Sequence, residues 1–188
     1  MSARMLSTVV GLMLVASAAF AQTANDDLLT LDVIRSINTY TRFTIFDDIN
    51  VKVENGTVTL LGKVTMPFKR DELARRIERL GGVVAVNNEI EVLPVSVYDD
   101  ELRRRVARAI YGNSAFWQYA AMVNPPIHII VEGGRVRLTG VVASEVDRAL
   151  ARALATGRGE LSVINALKTD AEVTAERAVS NAQLQRIK

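Results

Sequence analysis

The residues with chemistry to offer gather in the second half of the chain. Arg103, Arg104, Arg105 and Arg108 fall close together. On a helix, Arg104 and Arg108 stand opposite a stripe of Leu102, Val106 and Ile110, with Arg103 and Arg105 at the stripe's edges. Arg135 and Arg137 alternate with Val136 and Leu138, so they share the outer face of a strand. Guanidinium forks meet phosphate oxygens two at a time, which makes these arginines candidates for an anion patch facing lipid phosphates. The plain alternative is a solvated face. Between the two groups, residues 111–122 carry Phe116, Trp117 (the only tryptophan) and Tyr119. Such rings suit a bilayer interface or a ligand, and equally a satellite core under the loop.

Other chemistries find little support. The only histidine, His128, lies between Ile127 and Ile129, and alternation turns it to the face opposite the core as a solvated strand residue. With no cysteine and no second histidine, neither a metal site nor thiol catalysis is expected, and no cofactor either. The pairs Asp26-Asp27 and Asp47-Asp48 are explained by helix-start and turn roles. No nucleophile-elbow or phosphate-loop motif is present. A nucleic-acid reading would need a glycine clamp and strong basic charge. Residues 26–93 carry 9 Lys/Arg against 11 Asp/Glu, and residues 99–170 carry 10 against 8. These values exclude a nucleic-acid partner.

What positions these residues is a pattern stated twice. Residues 51–64 and 129–142 align at an offset of 78, with apolar residues matched at 51, 53, 58, 60 and 64 and glycines at 56 and 62. Each is an alternating strand, an Asn-Gly or Gly-Gly turn and a second alternating strand, which predicts a β-hairpin. Val51, Val53, Val58 and Leu60 face one way in the first, and Ile129, Val131, Val136 and Leu138 in the second. Gly62 and Gly140 sit where a strand interior prefers a side chain, pointing to close backbone approach or a bulge. Helices opening at Asp26-Asp27 and Asp99-Asp100 precede the hairpins, with apolar stripes Leu29/Val33/Ile37 and Leu102/Val106/Ile110. The offset there is 73, so the second copy has five extra residues between helix and hairpin.

A second helix follows each hairpin, opened by Pro67 and by a capping box at Ser144–Asp147 and stopped by Gly81-Gly82 and Gly157-Arg158-Gly159. A third strand then runs parallel to the hairpin's second strand. The repeat is therefore α-β-β-α-β, about 70 residues long. The fold class is α+β, with two tandem units, each a small three-stranded mixed sheet with two helices. Their bounds are 26–93 and 99–170, joined by a short linker at residues 93–98. The tail 171–188, with scattered apolar positions, is read first as a fraying end, with a helix as the alternative.

Residues 1–21 read as a secretory signal peptide. Arg4 gives a basic start, residues 5–20 are apolar and small, and Ala19-Phe20-Ala21 is a cleavage site before Gln22. A periplasmic protein without disulfides is the expectation.

The doubled order resembles a pair of BON domains. Gly56, Gly62, Gly82, Val83, Val86, Asn88 and Ile90 carry the likeness in the first copy, and Gly134, Gly140, Gly159, Val163, Asn165 and Leu167 in the second. Glu160 stands where the pattern has valine, so the second copy is the more divergent. The resemblance implies a non-enzymatic envelope module linked to phospholipid or other hydrophobic ligands and to osmotic stress. The expected partner is a membrane phospholipid surface or an envelope protein. A soluble osmotic-stress chaperone or protein-docking module without lipid binding is the alternative.

Overall fold

A computed structural model describes residues 25–186. The expected leader and its Ala21 cleavage site lie outside the described residues. In the first repeat, helix α1 (residues 25–38) is followed by β1 (Asp48–Glu54), β2 (Thr57–Val64), α2 (Pro67–Ile77) and β3 (Ala85–Val92). The second repeat has α3 (Val97–Tyr111), a 3-10 turn at Ser114–Phe116, α4 (Trp117–Ala120), β4 (Ile127–Glu132), β5 (Arg135–Val142), α5 (Glu145–Ala155), β6 (Ser162–Asn165), β7 (Lys168–Thr169) and α6 (Asp170–Arg186). The architecture is α+β with two mixed sheets, as the doubled pattern predicts.

The first sheet has the order β1-β2-β3. Its third strand advances with β2: Val84 N–H donates to Gly56 C=O at 2.8 Å, and Leu93 N–H to Val64 C=O at 2.9 Å. In the second sheet β4 pairs antiparallel with β5, and β5 pairs parallel with β6. Two further residues, β7, extend the parallel side at Val141 and Val142. Both turns take positive φ at their two central residues, 52° and 73° at Asn55-Gly56 and 56° and 73° at Gly133-Gly134. Side chains rarely tolerate this conformation, which explains the sequence choice at both turns.

The stripes read from the sequence are the ones that bury. In the first repeat Leu29, Val33 and Ile37 of α1 are buried, as are Val58, Leu60, Leu73, Ile77 and Ile90. Leu102, Val106 and Ile110 of α3 lie in a core with Ile127, Ile129, Val131, Val136, Leu138, Ala151 and Leu167. At roughly 1.5–3 kcal/mol per fully buried large aliphatic side chain, these faces hold two units that contain no disulfide.

Two boundaries differ from the sequence expectation. Helix α3 starts at Val97, ahead of the acid pair, because the Ser96 hydroxyl caps it by accepting from Asp99 N–H at 3.2 Å. The tail is helical. Thr169 and Glu172 form a reciprocal capping box: Thr169 N–H donates to the Glu172 carboxylate at 2.8 Å, and Glu172 N–H to Thr169 Oγ1 at 3.2 Å. By compactness the chain divides into two units, with the main break at Glu91/Val92. Thr44–Asp48 and Lys63–Met66 belong with the second unit, which otherwise runs from Val92 onward. Within that unit the fully buried Asp47 carboxylate accepts from the backbone and hydroxyl of both Thr44 and Thr65, at 2.7 to 2.9 Å.

Candidate functional site

Two polar devices recur in both repeats and hold the elements that carry the candidate residues. The first is a carboxylate clamp on each hairpin turn. Asp26 accepts from Asn55 N–H at 2.7 Å and Gly56 N–H at 2.9 Å, while Asp99 accepts from Gly133 N–H at 2.9 Å and Gly134 N–H at 2.8 Å. The second is the third-strand asparagine. Asn88 Nδ2 donates to Arg70 C=O at 3.0 Å, and Asn165 Nδ2 to Arg148 C=O at 2.8 Å, tying strand three to the second helix. Both devices join backbone polar groups that would otherwise be left without partners. Neither was read from the sequence. The signal was an acid, and an asparagine, at matching positions of the two copies.

The arginines divide. Arg103 is buried, 4 % exposed, pairing with Asp100 and donating to Val131 C=O at 2.7 Å. It ties α3 to β4, which corrects its placement at a surface edge. The buried guanidinium is tolerated because it is paired with a carboxylate and hydrogen-bonded to a carbonyl. Arg105 is also committed, donating through Nε to Arg158 C=O at 2.9 Å and lying 5.9 Å above the Tyr98 ring centroid. Arg104 and Arg108 are exposed on the outer face of α3, and among the described residues neither forms an ion pair. Arg135 and Arg137 are exposed too. They lie on the sheet face turned away from the core, whereas α3 covers the core face. The structure thus separates the two arginine groups onto opposite sides of the second repeat.

The aromatic insertion also divides. Phe116 is fully buried and Tyr119 nearly so, with ring centroids 5.8 Å apart. These two belong to the core, the satellite-core alternative, which removes Phe116 and Tyr119 from the candidate lipid contact. The Tyr119 hydroxyl accepts from Ala143 N–H at 2.8 Å. Tyr111 donates to Ile127 C=O at 2.5 Å and accepts from Ile127 N–H at 3.1 Å. Burial pushes both phenols above their ordinary range, so both stay neutral donors and acceptors. Trp117 points the other way, 77 % exposed. Met122 and Val123 are exposed beside it in sequence, Val123 at 96 %. The sequence reading did not single these two out, although an apolar pair before Asn124-Pro125-Pro126 was the available signal.

The remaining placements follow. His128 is half-buried opposite Thr139 rather than fully solvated. The six glycines of the repeat pattern, Gly56, Gly62, Gly82, Gly134, Gly140 and Gly159, all have positive φ. At Gly140 a Cβ would lie 1.9 Å from the Pro126 carbonyl oxygen, so the expected close backbone approach is real. Among the described residues no cluster of His, Cys, Asp or Glu could hold a metal ion, and no helix is long and apolar enough to cross a membrane.

The BON-domain profile matches residues 25–94 and 98–171. No curated protein matches the chain. Among solved structures, CdsD, a structural protein of the type III secretion system of Chlamydia trachomatis, is 15 % identical with a TM-score of 0.26, covering 73 % of this chain and 92 % of that one. Its C-terminal domain gives the same identity and score and is covered over 97 % of its length. Scores of that size say nothing further about this chain. The two profile matches span most of the sequence and coincide with the two α-β-β-α-β repeats, so the chain belongs to the BON-domain family and carries two copies in tandem.

Proposed function

We propose that this protein is a non-catalytic binding module of the cell envelope that associates with anionic phospholipid through its second repeat. BON domains are in general non-catalytic envelope modules, which supports the first half of the reading. The observation that carries the second half is the run from α3 into the insertion. Arg104 and Arg108 project from the outer face of α3, and the chain then passes directly to Trp117, Met122 and Val123, all exposed. Each arginine near an anionic surface contributes about 1 kcal/mol, and an indole at the interface adds to that. The sum is weak, salt-sensitive association. Arg135 and Arg137, on the opposite face, are left out of this contact.

Trp117 is the only tryptophan, so its emission reports on this site alone. Anionic vesicles should shift its emission to the blue, neutral vesicles should do so less, and salt should reverse the shift. Replacing Arg104 and Arg108 by glutamate should remove the shift while leaving the circular dichroism spectrum intact. Emission unchanged by anionic vesicles at low salt refutes lipid association and leaves the docking-module reading. Export rests on the leader-like residues 1–21. Mass spectrometry of the exported protein should find a chain beginning at Gln22.

A further inference from the structure

The two repeats fill one equivalent space in opposite ways. In the second, Tyr98 and Arg105 of α3 reach across the loop between α5 and β6. The Tyr98 hydroxyl donates to Gly159 C=O and Arg105 Nε to Arg158 C=O. A Cβ at Gly159 would sit 3.2 Å from Arg105 Nη2 and 3.4 Å from the Tyr98 hydroxyl oxygen, so these side chains occupy the space beside the loop. The helix and loop offsets bring Asn25 to the place of Tyr98, Asp32 to that of Arg105, and Gly81-Gly82 to that of Arg158-Gly159. A carboxylate cannot donate to a carbonyl as a guanidinium does. Beside Gly82 a Cβ would meet only Leu29, at 4.0 Å, and beside Gly81 nothing. What remains in the first repeat is a cleft of about 370 Å³, lined among others by Asp26, Leu28, Asp32, Gly81, Gly82 and Val84.

We propose that this cleft binds an arginine-bearing segment of a partner polypeptide, its guanidinium taking the role that Arg105 plays within the second repeat. Charge complementarity supports this occupant. Asp26 and Asp32 line the cleft and Asp27 adjoins it, an arrangement that repels phosphate and carboxylate groups. Asp26 is committed to the hairpin turn, so Asp32 is the carboxylate that meets the ligand. It pairs with Arg35 at 2.7 Å, but both side chains are more than half exposed, and such a pair yields easily to a second guanidinium. Leu28, 63 % exposed, and Val84, 79 % exposed, offer apolar walls to the methylene stem and to a neighbouring ring. The volume suits one or two side chains and is at the small end for a whole ligand. A planar fork reaches a carbonyl and a carboxylate together, which favours arginine over lysine.

The probe is acetyl-tyrosyl-arginine amide, titrated into the ¹⁵N-labelled protein. Amide shifts should concentrate at Asp32, Gly81, Gly82 and Val84. The lysine analogue should bind several-fold more weakly, and Asp32→Asn should weaken the arginine probe about three- to fivefold, the scale of one exposed ion pair. The double variant Asn25→Tyr with Asp32→Arg transplants the plug of the second repeat and should abolish the shifts while the rest of the spectrum stays folded. If the transplant does not fold, the Asp32→Asn and lysine comparisons decide. Absence of shifts in the cleft at millimolar probe, shifts centred elsewhere, or undiminished binding to a folded transplant would each overturn the proposal.

Discussion

Asp99→Asn should destabilise the second unit far more than Asp26→Asn destabilises the first. The Asp99 carboxylate is 3 % exposed and each oxygen accepts one turn N–H, at 2.9 and 2.8 Å. Asparagine keeps one acceptor and turns an amino group toward the other N–H, donor against donor. One charge-assisted hydrogen bond worth about 1.5–3 kcal/mol is lost, the survivor drops to neutral strength, and the new amino group, on a side chain that is itself buried, is left facing a donor. The expected cost is about 2–4 kcal/mol. Asp26 makes bonds of similar length, 2.7 and 2.9 Å, but is only half-buried, while the outer turn residue, Asn55 or Gly133, is exposed in both copies. Water can reach the half-buried asparagine side chain there and satisfy its amino group, so about 1 kcal/mol is expected. Urea unfolding followed by circular dichroism gives the costs, and hydrogen exchange at the Asn55, Gly56, Gly133 and Gly134 amides localises them. An Asp99→Asn midpoint equal to wild type would refute the reasoning. A larger cost at Asp26 would show that burial does not set the order.

Gly140→Val should cost about 2–4 kcal/mol, because a Cβ only 1.9 Å from the Pro126 carbonyl forces backbone to move; an unchanged melting temperature would show that β4 yields freely. Helix α6 should depend on pH through Glu172. Its carboxyl is held below the usual range first by the Thr169 N–H and next by Arg148. A carboxyl with a lowered folded pKa stabilises fully above its unfolded value and loses that contribution as pH falls through the folded one. Amide exchange in the first turn of α6 should therefore speed up in acid relative to the intrinsic rate, and Glu172→Gln should flatten that response.

The hairpins, the turns, the parallel third strand and the helix stripes were legible because each is periodic or punctuated in the sequence. What escaped are bonds from a side chain to distant backbone. Arg103 sits at the edge of the α3 stripe by angle, and only the folded sheet shows that Val131 C=O accepts from it. Tyr119 stays open between interface and core, and Tyr111 draws no reading, until their hydroxyls are found on the backbone amides of Ala143 and Ile127. Trp117 goes outward because Phe116 and Tyr119 take the buried face of a short helical turn, a choice that no periodicity over so few residues can fix. The α6 cap was within reach: Thr169 and Glu172 stand at capping-box spacing, ahead of a helix with no strong apolar stripe to announce it.

The clamp on the first hairpin also bears on how the molecule ages. Asn-Gly is the dipeptide most open to deamidation, since nothing on glycine hinders its backbone nitrogen from attacking the asparagine side-chain carbonyl to close a succinimide. Here that nitrogen is tethered. Gly56 N–H donates to the Asp26 carboxylate at 2.9 Å, and Asn55 is held at a φ of 52°. Attack would require the amide to give up its proton beside a negative charge and the turn to leave its conformation. Both demands slow ring closure, so the carboxylate that positions the turn also shields its asparagine from chemical decay. The second hairpin, with Gly133-Gly134, has no such side chain to lose.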